Sequence, residues 1–267
     1  MNVVAWLGGK RPQDLGLQVL RESQRPILPG TVDRTMAVPG RPGEYDFGAD
    51  SGPRAFELEC AFMERNAVKL QERIEHLAQL LMDEYGRPKP IQIIFSTRPD
   101  RYYTVRYAGA LPIERIAGYG RFRLPLVAYY PFARLIEDAS DIDVDSNIGV
   151  DNSLLVDSVY SFSVTSPSSV EVDNFGSLNV GPTVVITGSF TSFSLAIGGK
   201  VFSYNAPLTS GTLTVDMKRM TARIGTTNVL GNTSGDFPVL APGRNTVSIG
   251  GSGLQCTINF VFNPEFI

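Results

Sequence analysis

One histidine, two cysteines and 27 acidic side chains are the groups from which this 267-residue chain could build an acid–base or metal centre. His76 stands off the Leu70, Ile74, Leu77 and Leu81 stripe of a helical segment, so it reads as a solvated side chain. A single histidine leaves no ordinary His or His/Cys zinc set. A Ser-His-Asp triad would have to recruit His76, and there is no Gly-x-Ser-x-Gly elbow to present a serine to it. Cys60 and Cys256 sit in alternating apolar runs, Phe56, Leu58, Cys60, Phe62 and Leu254, Cys256, Ile258, Phe260. Both read as small core side chains, which fits folding in a reducing cytoplasm.

Asp141-Ile142-Asp143-Val144-Asp145 begins like a calcium loop, but Ser146 and Asn152 occupy the positions that need Gly and Glu. With Glu137 and Asp138, the run reads as a solvated acidic linker. Gly250-Gly251-Ser252-Gly253 lies between two strand patterns, not before a helix whose N-terminal amides could hold a phosphate, so it reads as a hairpin turn. No pair of carboxylates is singled out for glycoside hydrolysis. No cofactor, no metal and no enzymatic activity are expected. Arg98, Arg101, Arg106, Arg115, Arg121 and Arg123 crowd one stretch, either as part of a mixed solvated surface or as the lining of a subunit interface or pore.

The elements that must position these groups fall into two unlike halves. Before Glu137 the chain is densely charged; after Asn152 it is rich in Ser, Thr, Gly and Val and has few basic residues. The expected organisation is a domain over 1–136, an acidic linker over 137–152 and a second domain over 153–267. Val3–Leu7 and Leu15–Leu20 suggest an opening hairpin around Gly8-Gly9. Arg25 to Pro53 is thick with Pro and Gly, which excludes a helix but leaves room for strands at Thr31–Val38 and Glu44–Phe47. Arg54–Met63 alternates as a half-buried strand. A helix over Ala67–Tyr85 follows, with Asn66 as N-cap and Gly86 as terminator. Strands are expected at Ile91–Ser96, Tyr102–Tyr107 and Phe122–Tyr130, the last with Pro125 marking an edge or a bulge.

The second half holds about nine short strands separated by turn residues, the spacing of an antiparallel sandwich. The fold class is therefore mainly β (α+β): an N-terminal β-sandwich-like domain with one long helix, and a C-terminal galectin-like or jelly-roll β-sandwich. The net charge of −3 gives no basic footprint for nucleic acid. The first residues carry an apolar run too short for a signal peptide and nothing approaches a bilayer span, so a soluble protein without membrane contact is expected.

In order, these elements resemble the distal tail proteins (Dit) of long-tailed, non-contractile bacteriophages. The carrying segments of the first half are Gly43-Glu44-Tyr45-Asp46-Phe47-Gly48, Arg54-Ala55-Phe56-Glu57-Leu58, the long helix, Pro99-Asp100-Arg101-Tyr102-Tyr103, and the Leu126–Phe132 strand ending Tyr130-Pro131-Phe132. Those of the second half are Val172-Asp173-Asn174-Phe175-Gly176, the Pro182–Gly188 strand, Leu213-Thr214-Val215-Asp216 and Phe237-Pro238 through Asn245.

The resemblance implies a structural protein of the virion tail tip, assembled in the host cytoplasm. It implies a homo-hexamer ringed through its N-terminal domain, joined to the tail tube protein on one side and the tail-associated hub or lysin protein on the other. DNA passes the central channel without sequence-specific binding, and the C-terminal domain projects outward, where it can carry a receptor-binding protein. The resemblance and the breaker pattern make Glu44, Tyr45, Asp46, Phe47 and Arg54 candidate assembly contacts, with a role for Arg54 inside its own subunit as the alternative. Two other readings stand beside this one: a tail tube component that stacks into longer tubes, and a carbohydrate-binding module. The latter needs Tyr160, Tyr204 or Phe175 on a flat exposed platform.

Overall fold

The structure is a computed structural model that describes residues 3–116, 119–136 and 160–267. The expected acidic linker and the Asp141–Asp145 run lie outside the described residues. The chain divides into two compact units, Met1–Ala133 with Ile267, and Arg134–Phe266.

The first unit opens with β1 (Val4–Leu7), a 3-10 turn at Pro12–Leu15 and β2 (Leu17–Val19). A hairpin of β3 (Thr31–Ala37) and β4 (Glu44–Ser51) comes next, then β5 (Arg54–Met63) and α1 (Ala67–Leu81). β6 (Ile91–Phe95), β7 (Arg98–Tyr107), β8 (Glu114–Ile116) and β9 (Tyr119–Ala128) complete it. Six strands follow one hydrogen-bonded path in the order β1-β6-β7-β9-β5-β2.

β5 alternates because one face is covered: Phe56, Leu58, Cys60 and Phe62 are all buried. Leu70, Leu77 and Leu81 of α1 join them in one core with Ile93 and Leu124. Each such side chain contributes roughly 1.5–3 kcal/mol by leaving water. The Asn66 side chain caps α1, accepting from the N–H groups of Val68 and Lys69 at 2.9 and 3.2 Å.

Four expectations for this unit need correction. The opening segments are not a hairpin: β1 pairs with β6 and β2 with β5, because Pro12 and the 3-10 turn redirect the chain between them. The helix stops at Leu81 rather than Tyr85. There Asp83 accepts the N–H groups of Tyr85 and Arg87 at 2.9 and 2.8 Å, a local turn that competes with the helical ladder. β7 begins at Arg98 and not at Tyr102, so the turn before it is only Ser96-Thr97. Pro125 is neither on an edge strand nor at a bulge, since β9 lies between β5 and β7. Its carbonyl accepts from Ala108 just past the end of β7, at 3.2 Å, so the missing N–H falls where that ladder stops.

The second unit is a sandwich of two antiparallel sheets. After β10 (Ala133–Leu135), which belongs to neither of these sheets, the strands are β11 (Ser161–Val164), β12 (Ser168–Asn174), β13 (Thr183–Phe190), β14 (Ser192–Ile197) and β15 (Lys200–Tyr204). They continue with β16 (Leu208–Asp216), β17 (Thr221–Ile224), β18 (Thr227–Asn228), β19 (Thr233–Gly235), β20 (Gly243–Ser252) and β21 (Gln255–Val261), after which β22 (Glu265–Phe266) pairs with β10 outside both sheets. One sheet runs β11-β21-β13-β16-β17-β18 and the other β12-β20-β14-β15-β19. Their inward rows, Val184, Ile186, Leu213, Val215, Ile258 and Phe260 against Phe193, Leu195, Phe202, Val247 and Ile249, form one core. Gly250 and Gly251 belong to β20, so that Gly-rich stretch is strand through Ser252 rather than turn from its start.

Candidate functional site: an exposed arm and the pocket at its root

Every residue of β3 and β4 is exposed, and the two strands pair only with each other. A two-stranded ribbon alone in water is marginally stable. It leaves the body where the Gly52 N–H donates to the Gly30 carbonyl at 2.7 Å.

The register sorts its side chains. Opposed residues share a face: Met36 with Tyr45, Val32 with Asp50, Thr35 with Asp46, Ala37 with Glu44. A bulge between Asp33 and Thr35 absorbs the extra residue on β4 at Gly48, whose φ is +91°. One face therefore carries Val32, Met36, Tyr45 and Phe47, with exposures of 54%, 54%, 44% and 63%. Arg34 and Asp50 form an ion pair on it, and Arg41 stacks 4.0 Å from the Tyr45 ring. The other face carries Asp33, Glu44 and Asp46 beside Thr35 and Ala37, with acids and no bases. Single exposed apolar residues are ordinary; an apolar row on a ribbon with no core of its own is not.

Of the five candidate contacts, Glu44, Tyr45, Asp46 and Phe47 lie together on β4 and Arg54 lies elsewhere, buried at the arm's root. Its Nη2 donates to the carbonyls of Pro26 and Ile27, each at 2.7 Å; its Nη1 donates to Tyr103 Oη at 3.1 Å and to the Pro131 carbonyl at 3.5 Å. All of these acceptors are neutral. Arg54 lines a cavity of about 380 Å³ with Arg25, Arg98, Arg101, Phe95 and Tyr103, at which Ile27 and Ile267 also stand. Arg25 stacks 4.8 Å from the Phe95 ring. Asp100 pairs with Arg101 at 3.0 Å. Burial pulls the Arg101 guanidinium below its ordinary value, and nearby Arg98 pulls the same way, against the attraction of Asp100.

Arg25 and Ile27 were not singled out as site residues from the sequence, because they fall in a breaker-rich stretch far along the chain from Tyr103. The apolar partners Val32 and Met36 carried a signal, alternation within Thr31–Ala37, that the surrounding breakers masked. Of the other clustered arginines, Arg106, Arg121 and Arg123 are engaged locally. Arg121 and Arg123 bracket buried Glu59 at 3.5 and 2.5 Å, and Arg106 donates to Tyr129 Oη at 2.8 Å.

His76 is exposed on α1. Burial pushes the Cys60 thiol up to about 12, with Glu59 adding to the shift, and burial raises Cys256 too. Among the described residues no group of three or more His, Cys, Asp or Glu side chains could hold a metal ion. No helix among them is long and apolar enough to cross a membrane. The platform required for glycan binding is not present in the form expected. Tyr160 and Tyr204 are buried, and Phe175 is partly buried against the second core.

Residues 10–128 match the family model described as phage tail protein RIFT-related domain. The whole chain superposes on the crystal structure of the Dit protein of phage SPP1, described as a paradigm of the hub adsorption apparatus in phages that infect Gram-positive bacteria. The TM-score is 0.70 and the identity 17%, over 99% of each chain. A weaker likeness, TM-score 0.38 at 8% identity, covers 97% of this chain and 94% of a chain in the baseplate of phage P2. No curated protein matches. Residues 10–128 thus resemble the phage tail RIFT-related domain, the resemblance to distal tail proteins stands, and the chain shares the fold of that distal tail protein.

Proposed function

We propose that this chain is a structural hub of a long-tailed phage or prophage tail tip, a ring of six copies joined through the first unit. In this role it links the tail tube protein to the tail-associated hub or lysin protein around a channel for DNA. The tail-tip setting is supported by the family match and the shared fold. The observation that carries the assembly role is the arm: a ribbon with one apolar and one acidic face, neither covered within its own unit. Such a ribbon is shaped to lie between two surfaces. An arm on one side of a subunit and its seat on another make a heterologous contact, and repetition of that contact closes into a ring when the rotation allows.

Glu44, Tyr45, Asp46 and Phe47 are the contact residues in this reading. Arg54 acts within its own subunit by fixing the backbone from which the arm departs. The second unit serves as a platform for a receptor-binding protein. Transient passage of DNA needs no strongly basic lining, which would retard it by tight phosphate binding.

Light scattering over a concentration series, with negative-stain images of the same samples, tests the proposal. Closed six-fold rings are the expected result. Open-ended tubes would replace it with the tube-component reading, and a monomer that stays monomeric with the tail tube and hub proteins present would end it.

A further inference from the structure

Where cations crowd on this chain, an acid usually stands among them. Arg121 and Arg123 share Glu59, and Arg134 and Lys218 share Glu265. One group departs from this pattern. Lys10, His76 and Lys89 line a surface pocket of about 400 Å³ with Gln79 and Leu80, and no Asp or Glu is among its described lining residues. Lys89 Nζ donates to the Gln79 carbonyl at 3.1 Å, which occupies one of its three N–H groups. The side chains of Lys10, His76 and Gln79 have no hydrogen-bond or ion-pair partner among the described residues.

Three segments bring these groups together, and backbone contacts pin each of them. The Lys10 N–H donates to the Leu7 carbonyl at 3.1 Å, and the Leu7 N–H to the Lys10 carbonyl at 2.8 Å. Gly8, inside that turn, has φ +57°, and a Cβ there would stand 2.8 Å from Leu80 Cδ1, so the turn lies directly on α1. His76, Gln79 and Leu80 follow one another at helical spacing on one face of α1. Beyond the helix, the Met82–Pro88 bridge draws the chain back, and the Lys89 N–H donates to the Leu81 carbonyl at 3.0 Å. The backbone that carries the donors is thus in place before any ligand arrives, which lowers the ordering cost of binding.

The lining is one of donors. Lysine ammoniums only donate, the amide of Gln79 brings an NH2 group, and a neutral imidazole donates from one nitrogen. A phosphate group carries about two negative charges at neutral pH and three strong acceptor oxygens. It can therefore face both ammoniums at once, whereas a carboxylate brings a single charge. The partly buried Leu80 supplies an apolar floor, and the pocket lies within the roughly 300–1,000 Å³ of small-molecule sites.

We propose that this pocket is a phosphate-binding site, taking inorganic phosphate or the phosphate of a small phosphomonoester. Lys10 and Lys89 supply the charge, and Gln79 and His76 supply neutral donors beside it. The site lies wholly within the first unit and does not depend on ring formation.

The test uses the full chain with inorganic phosphate as the probe, at constant pH and ionic strength. His76 is the one histidine, so the ring C–H signals of isotope-labelled histidine report on the pocket without assignment. Phosphate is expected to move them saturably and to broaden its own phosphorus resonance. Lys10→Gln and Lys89→Gln should each weaken binding by about tenfold, because a charge-assisted hydrogen bond is lost. Lys10→Arg, which keeps the charge, should retain most of the affinity, and Lys200→Gln on the second unit should change nothing. Thermal melts exclude misfolding of the variants. Glycerol phosphate binding more tightly than inorganic phosphate identifies a phosphomonoester as the ligand, and the reverse order identifies the free ion. Acetate that moves the same signals at the same concentrations overturns the phosphate assignment in favour of a carboxylate. Signals that do not move, or that move equally in Lys10→Gln and Lys89→Gln, overturn the site.

Discussion

Arg54 is bound to Ile27 by a 2.7 Å hydrogen bond from Nη2 to the Ile27 carbonyl, across 27 positions of chain, and to Pro26 by another of the same length. These bonds hold the segment that launches the arm. Arg54→Lys replaces a planar fork by a single ammonium that cannot reach the same set of carbonyls and the Tyr103 hydroxyl. Leaving buried acceptors unpaired costs about 1–3 kcal/mol each, so the variant is expected to lose about 2–4 kcal/mol in urea unfolding. Trypsin cleavage at Arg34 and Arg41, both exposed on the arm, should accelerate well before global unfolding. Cleavage and stability equal to the parent chain would show that the arm's root is held by other groups.

The arm's apolar face makes the opposite prediction. Met36→Ser, Tyr45→Ser and Phe47→Ser remove large apolar groups that touch no core, so the stability of the isolated chain should stay within about 0.5 kcal/mol for each. Assembly with tail partners, followed by sedimentation, should nevertheless fail. The same substitution at buried Leu58 or Leu124 should cost several times more in stability.

Much of the fold was legible because burial imposes a period. Arg54–Met63 matches its expected limits, since one of its faces lies in a core. Asn66 was legible as a cap because its side chain can do little else before a helical stripe. The helix end was not, since whether Asp83 caps a turn or continues a helix depends on the Met82–Pro88 bridge that draws the chain back. Pro125 misled for a related reason: only the length of β7 shows that no partner requires its N–H. Arg54 carries its own lesson. It falls on the same alternating face as Phe56, Leu58 and Cys60, so the period already placed it inside, while its charge suggested the surface. The cavity was illegible because its residues are scattered from Arg25 to Ile267 and meet only in the fold.

The two thiols provide a pH test. Burial holds the Cys60 thiol at about 12 in the folded chain, against 9.0 when unfolded. The folded state therefore binds this proton more tightly. Its contribution to stability is fully present below pH 9 and is lost as pH rises towards about 12. Over that window the loss proceeds at roughly 1.4 kcal/mol per pH unit. Thiol labelling at pH 8 should be negligible until denaturant is added, and Cys60→Ala should flatten the alkaline part of the stability profile. Rapid labelling of Cys60 in the folded chain at pH 8 would contradict its burial.

Two glycines of the second unit separate backbone strain from collision. Gly188 has φ +137°, and a Cβ there would lie 2.2 Å from the Gln255 carbonyl oxygen and 2.7 Å from the Cys256 Cα. Both are backbone atoms of β21, which pairs with β13 through this position, so neither can rotate aside. Gly199 also has a positive φ, +81°, but a Cβ there meets nothing within 4 Å. Gly199→Ala should therefore cost only the left-handed penalty, about 1–2 kcal/mol. Gly188→Ala must part β13 from β21 in the centre of the six-stranded sheet, and should cost more than about 4 kcal/mol or prevent folding of this unit. Calorimetry distinguishes the two, since each unit has its own core. The transition that Gly188→Ala lowers should be the one that Leu213→Ala lowers, and the one sensitive to Leu58→Ala should remain. If Gly188→Ala and Gly199→Ala cost the same, the close approach of β13 to β21 at Gly188 is relieved by the backbone, and strain alone explains both glycines.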